Sequence, residues 1–330
     1  MKKGYLSGIG EGQVAIEIVR RNITGNLYDP RNGDQAIRTQ SLKLDRKPTD
    51  PARTNYFSIY FIESGSGTFW ADASSFEFGP DSLLFFVPYQ HVRFVPDSPV
   101  CGEVIQFHAN FLCVETFHAE VGCSGVLFND PYGIPVVPLD EQAKPEVMNL
   151  IERIRKEQSN SDLAFGEVML AYLKVLLILA ARLKSPKAGV CVPGANDLRH
   201  PALVQLRDLI EQNYRTLHSP AEYAKRLHMT AKTLGRIVRE NLGTTPTDLI
   251  RNRILIHAKW QLLHTLKPVK EISLELGFSD ELYFSRLFKK ATGFSPTFFR
   301  EFETEIRGGS NLSMFSAHAP ILRSAAASDT

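Results

Sequence analysis

The sequence predicts a chain of mixed α and β class. A β-sandwich or barrel comes first, a helical segment follows, and the last third is an all-α unit with two helix-turn-helix copies. Three observations predict this. Residues 54–112 break into short β-branched and aromatic runs separated by Pro, Gly, Asp and Ser. Residues 201–305 keep helical apolar spacing throughout. Within them one pattern occurs twice, as TAKTLGRIVRENLGTTPTDLIR and SDELYFSRLFKKATGFSPTFFR, with Gly243 matching Gly293 and Pro246 matching Pro296.

The strand runs come first. YFSIYFIESGSGTFW has β-formers on both sides of the turn-rich segment Glu63-Ser64-Gly65-Ser66-Gly67, and SLLFFVP, HVRFVP and GEVIQFHANF follow. Several short strands at near-regular spacing favour a sandwich or barrel over a parallel sheet. Next, PEVMNLIERIRKEQ and DLAFGEVMLAYLKVLLILAARLK carry helical spacing. SPKAGVCVPGAN then reads as a linker, and the Ser/Ala-rich end as a disordered tail. The expected organisation is a sheet domain at 1–139, a helical segment at 140–184, a linker at 185–200, the helical unit at 201–305 and a tail at 306–330.

A chain of 330 residues with 43% hydrophobic content can hold two cores. Its four cysteines, Cys101, Cys113, Cys123 and Cys191, show no C-x-x-C spacing, which points to a reducing, cytoplasmic compartment. Lys2 and Lys3 have no apolar stretch behind them, so no secretory leader is expected. The apolar run at 169–183 is 15 residues long and contains Lys174, too short and too polar for a membrane span. Charge is asymmetric. Residues 201–300 hold 16 Lys and Arg against 9 Asp and Glu, a net +7, whereas residues 1–200 carry a net −3. Only the helical unit is therefore expected to meet a polyanion.

In the first copy Ser219-Pro220-Ala221-Glu222 has the form of an N-cap, a Pro at N1 and a capping box. Ala224 and Leu227 point inward, His228-Met229 turns the chain, and Thr230 caps a second helix. On that helix Leu234, Ile237 and Val238 form the core stripe, leaving Lys232, Gly235, Arg236 and Arg239 outward. The second copy has a helix at 268–276, a turn at Gly277, a cap at Ser279 and a stripe of Phe284, Leu287 and Phe288. Thr245 and Ser295 restart helices with Pro at N1. One helix at about 247–266 joins the copies and spans roughly 30 Å. That is close to one turn of B-DNA, roughly 34–36 Å, at which two reading helices meet successive major grooves.

AEYAKRLHMTAKTLGRIVRENLGTTPTDLIRNRILIHAKWQLL and EISLELGFSDELYFSRLFKKATGFSPTFFR resemble the DNA-binding domain of AraC/XylS-type transcriptional regulators. The signature is clearest in Gly277-Phe278-Ser279, Tyr283-Phe284-Ser285-Arg286 and Gly293-Phe294-Ser295-Pro296. The resemblance implies base reading from Lys232 and Arg236 in the first copy, and from Glu281, Leu282, Ser285 and Arg286 in the second; Thr233 is expected at the DNA beside the former pair. Arg239, Lys289 and Lys290 are expected on phosphates, the commoner kind of contact. The chain departs from the pattern at His228, where the family has a turn glycine, and at Gly235, which offers a base no side chain. Leu282 can meet a thymine methyl but cannot hydrogen-bond.

The same resemblance implies a cupin-like barrel followed by helices that dimerise, and FIESGSGTFWAD with GPDSLLFFVPYQHVRF fits it. Metal-binding cupins pair histidines as H-x-H, but here Ser64, Gly65 and Ser66 stand at that position and His91 and His108 stand alone. No metal, no cofactor and no enzyme activity are expected. A sensor of a small-molecule effector fits better, with Tyr60, Trp70, Tyr89, His91, Gln106 and His108 as candidate lining. Alternation puts Gln106 and His108 on one strand face. Further expected partners are double-stranded DNA, RNA polymerase if the protein activates, and a second copy through Leu170, Leu173, Leu177, Ala180 and Ala181.

Overall fold

A computed structural model describes residues 27–114, 127–128, 130–160, 162–184 and 200–308. Among the described residues eight antiparallel strands form two sheets. The larger contains β1 (Ile37–Leu44), β2 (Phe57–Ser64), β5 (Ser82–Phe86), β7 (Val100–Phe107) and β8 (Val136–Pro138) in the order β1-β7-β2-β5-β8. The smaller is β4 (Ser74–Phe78), β3 (Gly67–Ala71) and β6 (Val92–Pro96), in the order β4-β3-β6. Strands β1 and β8 lie outside the expected 54–112 stretch. β1 is an edge strand whose Arg38, Gln40, Ser41 and Lys43 interrupt any apolar run, and β8 is three residues long.

Every residue of β5 is buried. Leu83 and Phe85 pack in one cluster with α1 (Ala143–Asn160) and α2 (Phe165–Lys184), while Leu84 and Phe86 face the smaller sheet. A strand covered on both faces reads as an unbroken apolar run. Between the sheets Phe69, Phe78, Phe86 and Phe94 form edge and tilted ring pairs with centroids 5.3–6.2 Å apart. Leu173, Leu177, Ala180 and Ala181, expected at a subunit contact, are instead buried against the larger sheet. Leu170 is half-buried beside them.

The helical unit consists of α3 (Pro201–Asn213), α4 (Pro220–Arg226), α5 (Ala231–Leu242), α6 (Pro246–His264), α7 (Val269–Glu275), α8 (Glu281–Thr292) and α9 (Pro296–Ile306). Its core takes Leu234, Ile237 and Val238 from α5 and Phe284 and Phe288 from α8, all buried as the spacing predicts. Leu287 and Leu227 are half-buried against it. At 1.5 Å per residue α6 is about 28 Å long, and eight of its 19 residues are buried.

Thr230, Thr245 and Ser295 cap α5, α6 and α9 through their hydroxyls. Two caps differ from the sequence reading. Ser219 makes no side-chain cap bond, and no box with Glu222 forms. α8 is capped by Asp280, whose carboxylate accepts from Leu282 N at 2.8 Å, and not by Ser279. A carboxylate one residue closer to the helix dipole wins that position. Of the expected linker at 185–200 and tail at 306–330, residues 185–199 and 309–330 lie outside the described residues, as do Cys123 and Cys191, whereas Ile306 is the buried last residue of α9.

Candidate nucleic-acid interface and the seam between the domains

Helices α4–α5 and α7–α8 each pair a short helix with a longer one across a turn in positive φ, His228 at 54° and Gly277 at 80°. Each longer helix ends on a left-handed glycine, Gly243 or Gly293. Burying one stripe leaves the other face to solvent. On α5, Lys232, Arg236 and Arg239 are exposed and Thr233 is half-buried, its hydroxyl 2.9 Å from that of Thr230. Arg236 pairs with Glu240 at 3.2 Å, an exposed i,i+4 contact worth only about 0.3–0.5 kcal/mol and readily exchanged for a phosphate or base.

On α8, Leu282 is 69% exposed and Arg286 and Lys289 are exposed, with Glu281 and Ser285 half-buried beside them. Arg286 Nε donates to Leu282 O at 3.2 Å, and a guanidinium nitrogen stays 3.9 Å from Asp280. The predicted reading residues therefore gather on the outward sides of two helices built on one core. Such a face carries donors for phosphates and guanine edges and one acceptor, Glu281, for a cytosine amino group.

The six candidate effector residues do not share one cavity. Tyr60 is wedged between Phe86 and Phe94, with centroids 5.2 and 5.3 Å away, and Gln106 donates to Ser58 Oγ at 3.0 Å and accepts from Arg38 Nε at 2.9 Å. Both belong to the packed space between the sheets. Trp70 is 43% exposed on β3, and His91 sits beside Asp72, which accepts from its backbone N–H at 3.0 Å. β7 ends at Phe107, so His108 leaves the strand and stacks on Tyr28 at 4.4 Å.

Tyr89 and His108 instead meet the helical unit. Tyr89 OH donates to Glu303 of α9, His108 Nε2 lies 3.7 Å from the same carboxylate, and Arg307 Nη2 lies 2.8 Å from it. Burial alone would raise the Glu303 carboxyl, but the neighbouring His108, Arg307 and Tyr89 hold it down at about 2. Tyr28, Tyr56, Tyr89 and Tyr132 are buried in the same apolar cluster as the helical core. Tyr132 OH donates to Glu211 at 2.9 Å, and Arg253 holds Glu211 at 2.8 Å. The sequence reading missed this seam. Its signal was Glu303, a carboxylate on the stripe that also buries Phe299, Phe302 and Ile306.

A cavity of ≈ 520 Å³ lies in the seam. Tyr89 lines it from the sheet side, with Phe57 and Val87; Trp260, Leu263 and Phe299 line it from the helices. Arg215, Arg253, Lys259, Arg307, His257 and Glu303 supply its charged and titratable groups. Burial and the Arg215 and Arg253 charges lower His257 to about 4, and burial lowers Lys259. Lys259 Nζ donates to Pro88 O at 3.2 Å. Among the described residues no group of three or more His, Cys, Asp or Glu could hold a metal ion, and no helix is long and apolar enough to cross a membrane.

Two family models match this chain: an AraC-like ligand binding domain over residues 35–171 and a helix-turn-helix domain over residues 223–301. The lactose operon transcription activator of Staphylococcus xylosus is 27% identical over 162 residues, 48% of this chain and 56% of that protein. The arabinose operon regulatory protein of Escherichia coli K12 is 27% identical over 161 residues, 49% of this chain and 53% of that protein. The chain thus spans about half the length of these curated relatives. Among solved structures ToxT from Vibrio cholerae is similar at 13% identity and a TM-score of 0.34, covering 81% of this chain and 99% of that one.

Proposed function

This chain belongs to the AraC family of transcriptional regulators, and from that premise we propose that it binds specific DNA in response to a small-molecule effector, each subunit reading two adjacent major grooves. The observation that carries this reading is the pair of outward, basic helix faces on a single core. Lys232, Thr233, Arg236, Glu281, Leu282, Ser285 and Arg286 read base edges, and Arg239, Lys289 and Lys290 hold phosphates. A footprint tests it. A protected site spanning two successive major grooves is expected, bound far more tightly than random duplex; protection of a single groove, or no preference over random DNA, defeats the reading.

The effector site supported best is the seam cavity. It is concave, largely apolar and carries a few converging charges, the usual make-up of a ligand site. With Arg307 paired to Glu303 and Arg253 to Glu211, Arg215 and Lys259 still add positive charge to the lining, which favours a ligand with an apolar body and an acidic group. Trp260 lines the cavity and Trp70 does not. Single-tryptophan variants separate the sites: fluorescence of the Trp260-only protein should respond to the effector, whereas a response confined to the Trp70-only protein places the ligand elsewhere. The protein works in the cytoplasm, pairs with a second copy and contacts RNA polymerase if it activates. The exposed Met148, Phe165 and Val175 on α1 and α2 suit the pairing, which sedimentation would test: a monomer at all concentrations refutes it.

A further inference from the structure

Gly243 and Gly293 occupy equivalent positions, the left-handed C-caps of the two reading helices, and the sheet domain touches both. At the first, Ser75 N donates to Gly243 O at 3.3 Å and Ser74 Oγ donates to Thr244 Oγ1 at 2.7 Å, with Ser74 and Thr244 buried. The approach is close: a Cβ on Gly243 would lie 2.4 Å from Ser75 O. At the second, Arg53 Nη2 donates to Lys290 O at 3.1 Å, and a Cβ on Gly293 would lie 3.3 Å from Arg53 Nη1. Lys290 O is one of the last four carbonyls of α8, which have no partner within the helix, and a guanidinium there also meets the negative end of the helix dipole.

Both contacts issue from one rung of the smaller sheet. Ala71 pairs with Ser74 on one side and Val92 on the other, and Val92 bridges Ala52, the neighbour of Arg53. At 4.7–4.9 Å per strand this rung is about 14 Å long, and its hydrogen bonds make it stiff. Its two ends therefore hold the C-terminal ends of α5 and α8, while Lys232, Arg236, Leu282 and Arg286 stay exposed. α6 joins the two units through the helical core, and the rung is a further tie between them, made by the sheet domain.

We infer that Arg53 and Ser74, residues of the sheet domain, are positioning residues for DNA reading: the rung they flank sets the separation of the two reading helices and so the half-site spacing the protein accepts. This rests on the two-groove reading proposed above. Inserting one base pair between half-sites displaces one from the other by about 3.4 Å and rotates it by about 34°. A bracketed pair of helices cannot follow that change, and an unbracketed pair follows it more easily.

The test uses the full chain and a site recovered by selection from random duplexes, with variants of that site lengthened or shortened by one base pair. The native protein should lose about tenfold or more in affinity on either altered site. The Arg53→Ala, Ser74→Ala double variant should lose threefold or less, with affinity on the unaltered site changed less than threefold. If the double variant does not fold, as judged by its thermal transition, Arg53→Gln alone should shift the spacing profile the same way, and Arg53→Lys should restore part of it. Spacing profiles identical to that of the native protein, or a loss equal on all sites, overturn the inference. Failure of the native protein to prefer any two-groove site over random duplex would instead sink the function proposed above.

Discussion

In the first helix-turn-helix unit the turn is His228, exposed and at φ 54°, whereas in the second it is Gly277 at φ 80°, where a Cβ would lie 2.1 Å from the Arg215 carbonyl oxygen. The first helix packs with aliphatic Leu234, Ile237 and Val238, the second with aromatic Phe278, Phe284 and Phe288. Gly235 on the first reading helix has nothing within 4 Å of a would-be Cβ, while the second presents Leu282 and Tyr283 with most of their surface exposed. One plan thus tolerates a histidine where its turn meets solvent and demands glycine where the turn meets backbone. The second unit is more tightly built, and its outward face is more varied in chemistry.

The sharpest test of that contrast is the turn. Gly277→Ala should destabilise the fold by about 2–4 kcal/mol, from positive φ and a clash that backbone must absorb. His228→Gly, at a site already in positive φ and open to water, should change stability by about 1 kcal/mol or less. Urea unfolding measures both, and similar losses in the two variants would erase the distinction. A second test is reading. Arg286→Ala should cost about 1–3 kcal/mol on the selected site and little on random duplex if it contacts guanine. Arg236→Ala should weaken both more evenly, and competition binding in which Arg236 proves the more selective residue would reverse the ranking.

Gly235→Ala gives a smaller effect. Filling open space on a helix with a better helix former should stabilise the first unit by about 1 kcal/mol, seen as a raised melting temperature, and no rise would mean the helix is not limited there. The last test concerns pH. Tyr214, His257, Gln261 and Glu275 form a hydrogen-bonded chain that runs from the end of α3 across α6 to α7 of the second unit. With His257 lowered to about 4 in the fold, the unfolded chain takes up its proton first as pH falls, so stability declines from about pH 6.5 towards 4. His257→Gln should flatten that decline in thermal melts; an unchanged pH profile would remove His257 as its source.

Much of this was legible in the residues. The duplicated Gly-x-x-Pro pattern marked the two units, their core stripes and their outward faces, because helical periodicity and turn chemistry are local and depend on neighbours a few positions away. The resemblance of residues 205–303 pointed to the family on the same grounds. Edge strand β1 was hidden by its polar alternate positions. Alternation along one strand does not say what its faces meet, and the effector candidates divide among the sheet interior, the surface and the seam.

Short-range steric and periodic rules thus set the class of each domain, the two basic outward faces and the positive-φ turns. The docking of one domain on the other was decided only in three dimensions. Tyr89 and Glu303 are 214 positions apart, Ser74 and Thr244 are 170, and Arg53 and Lys290 are 237. No local pattern links such residues. Tyr89 and Glu303, and Ser74 and Thr244, meet because buried hydroxyls and carboxylates need partners once water is excluded, and Arg53 reaches a helix carbonyl at the exposed edge of the same contact; the packed fold alone brings these groups within reach.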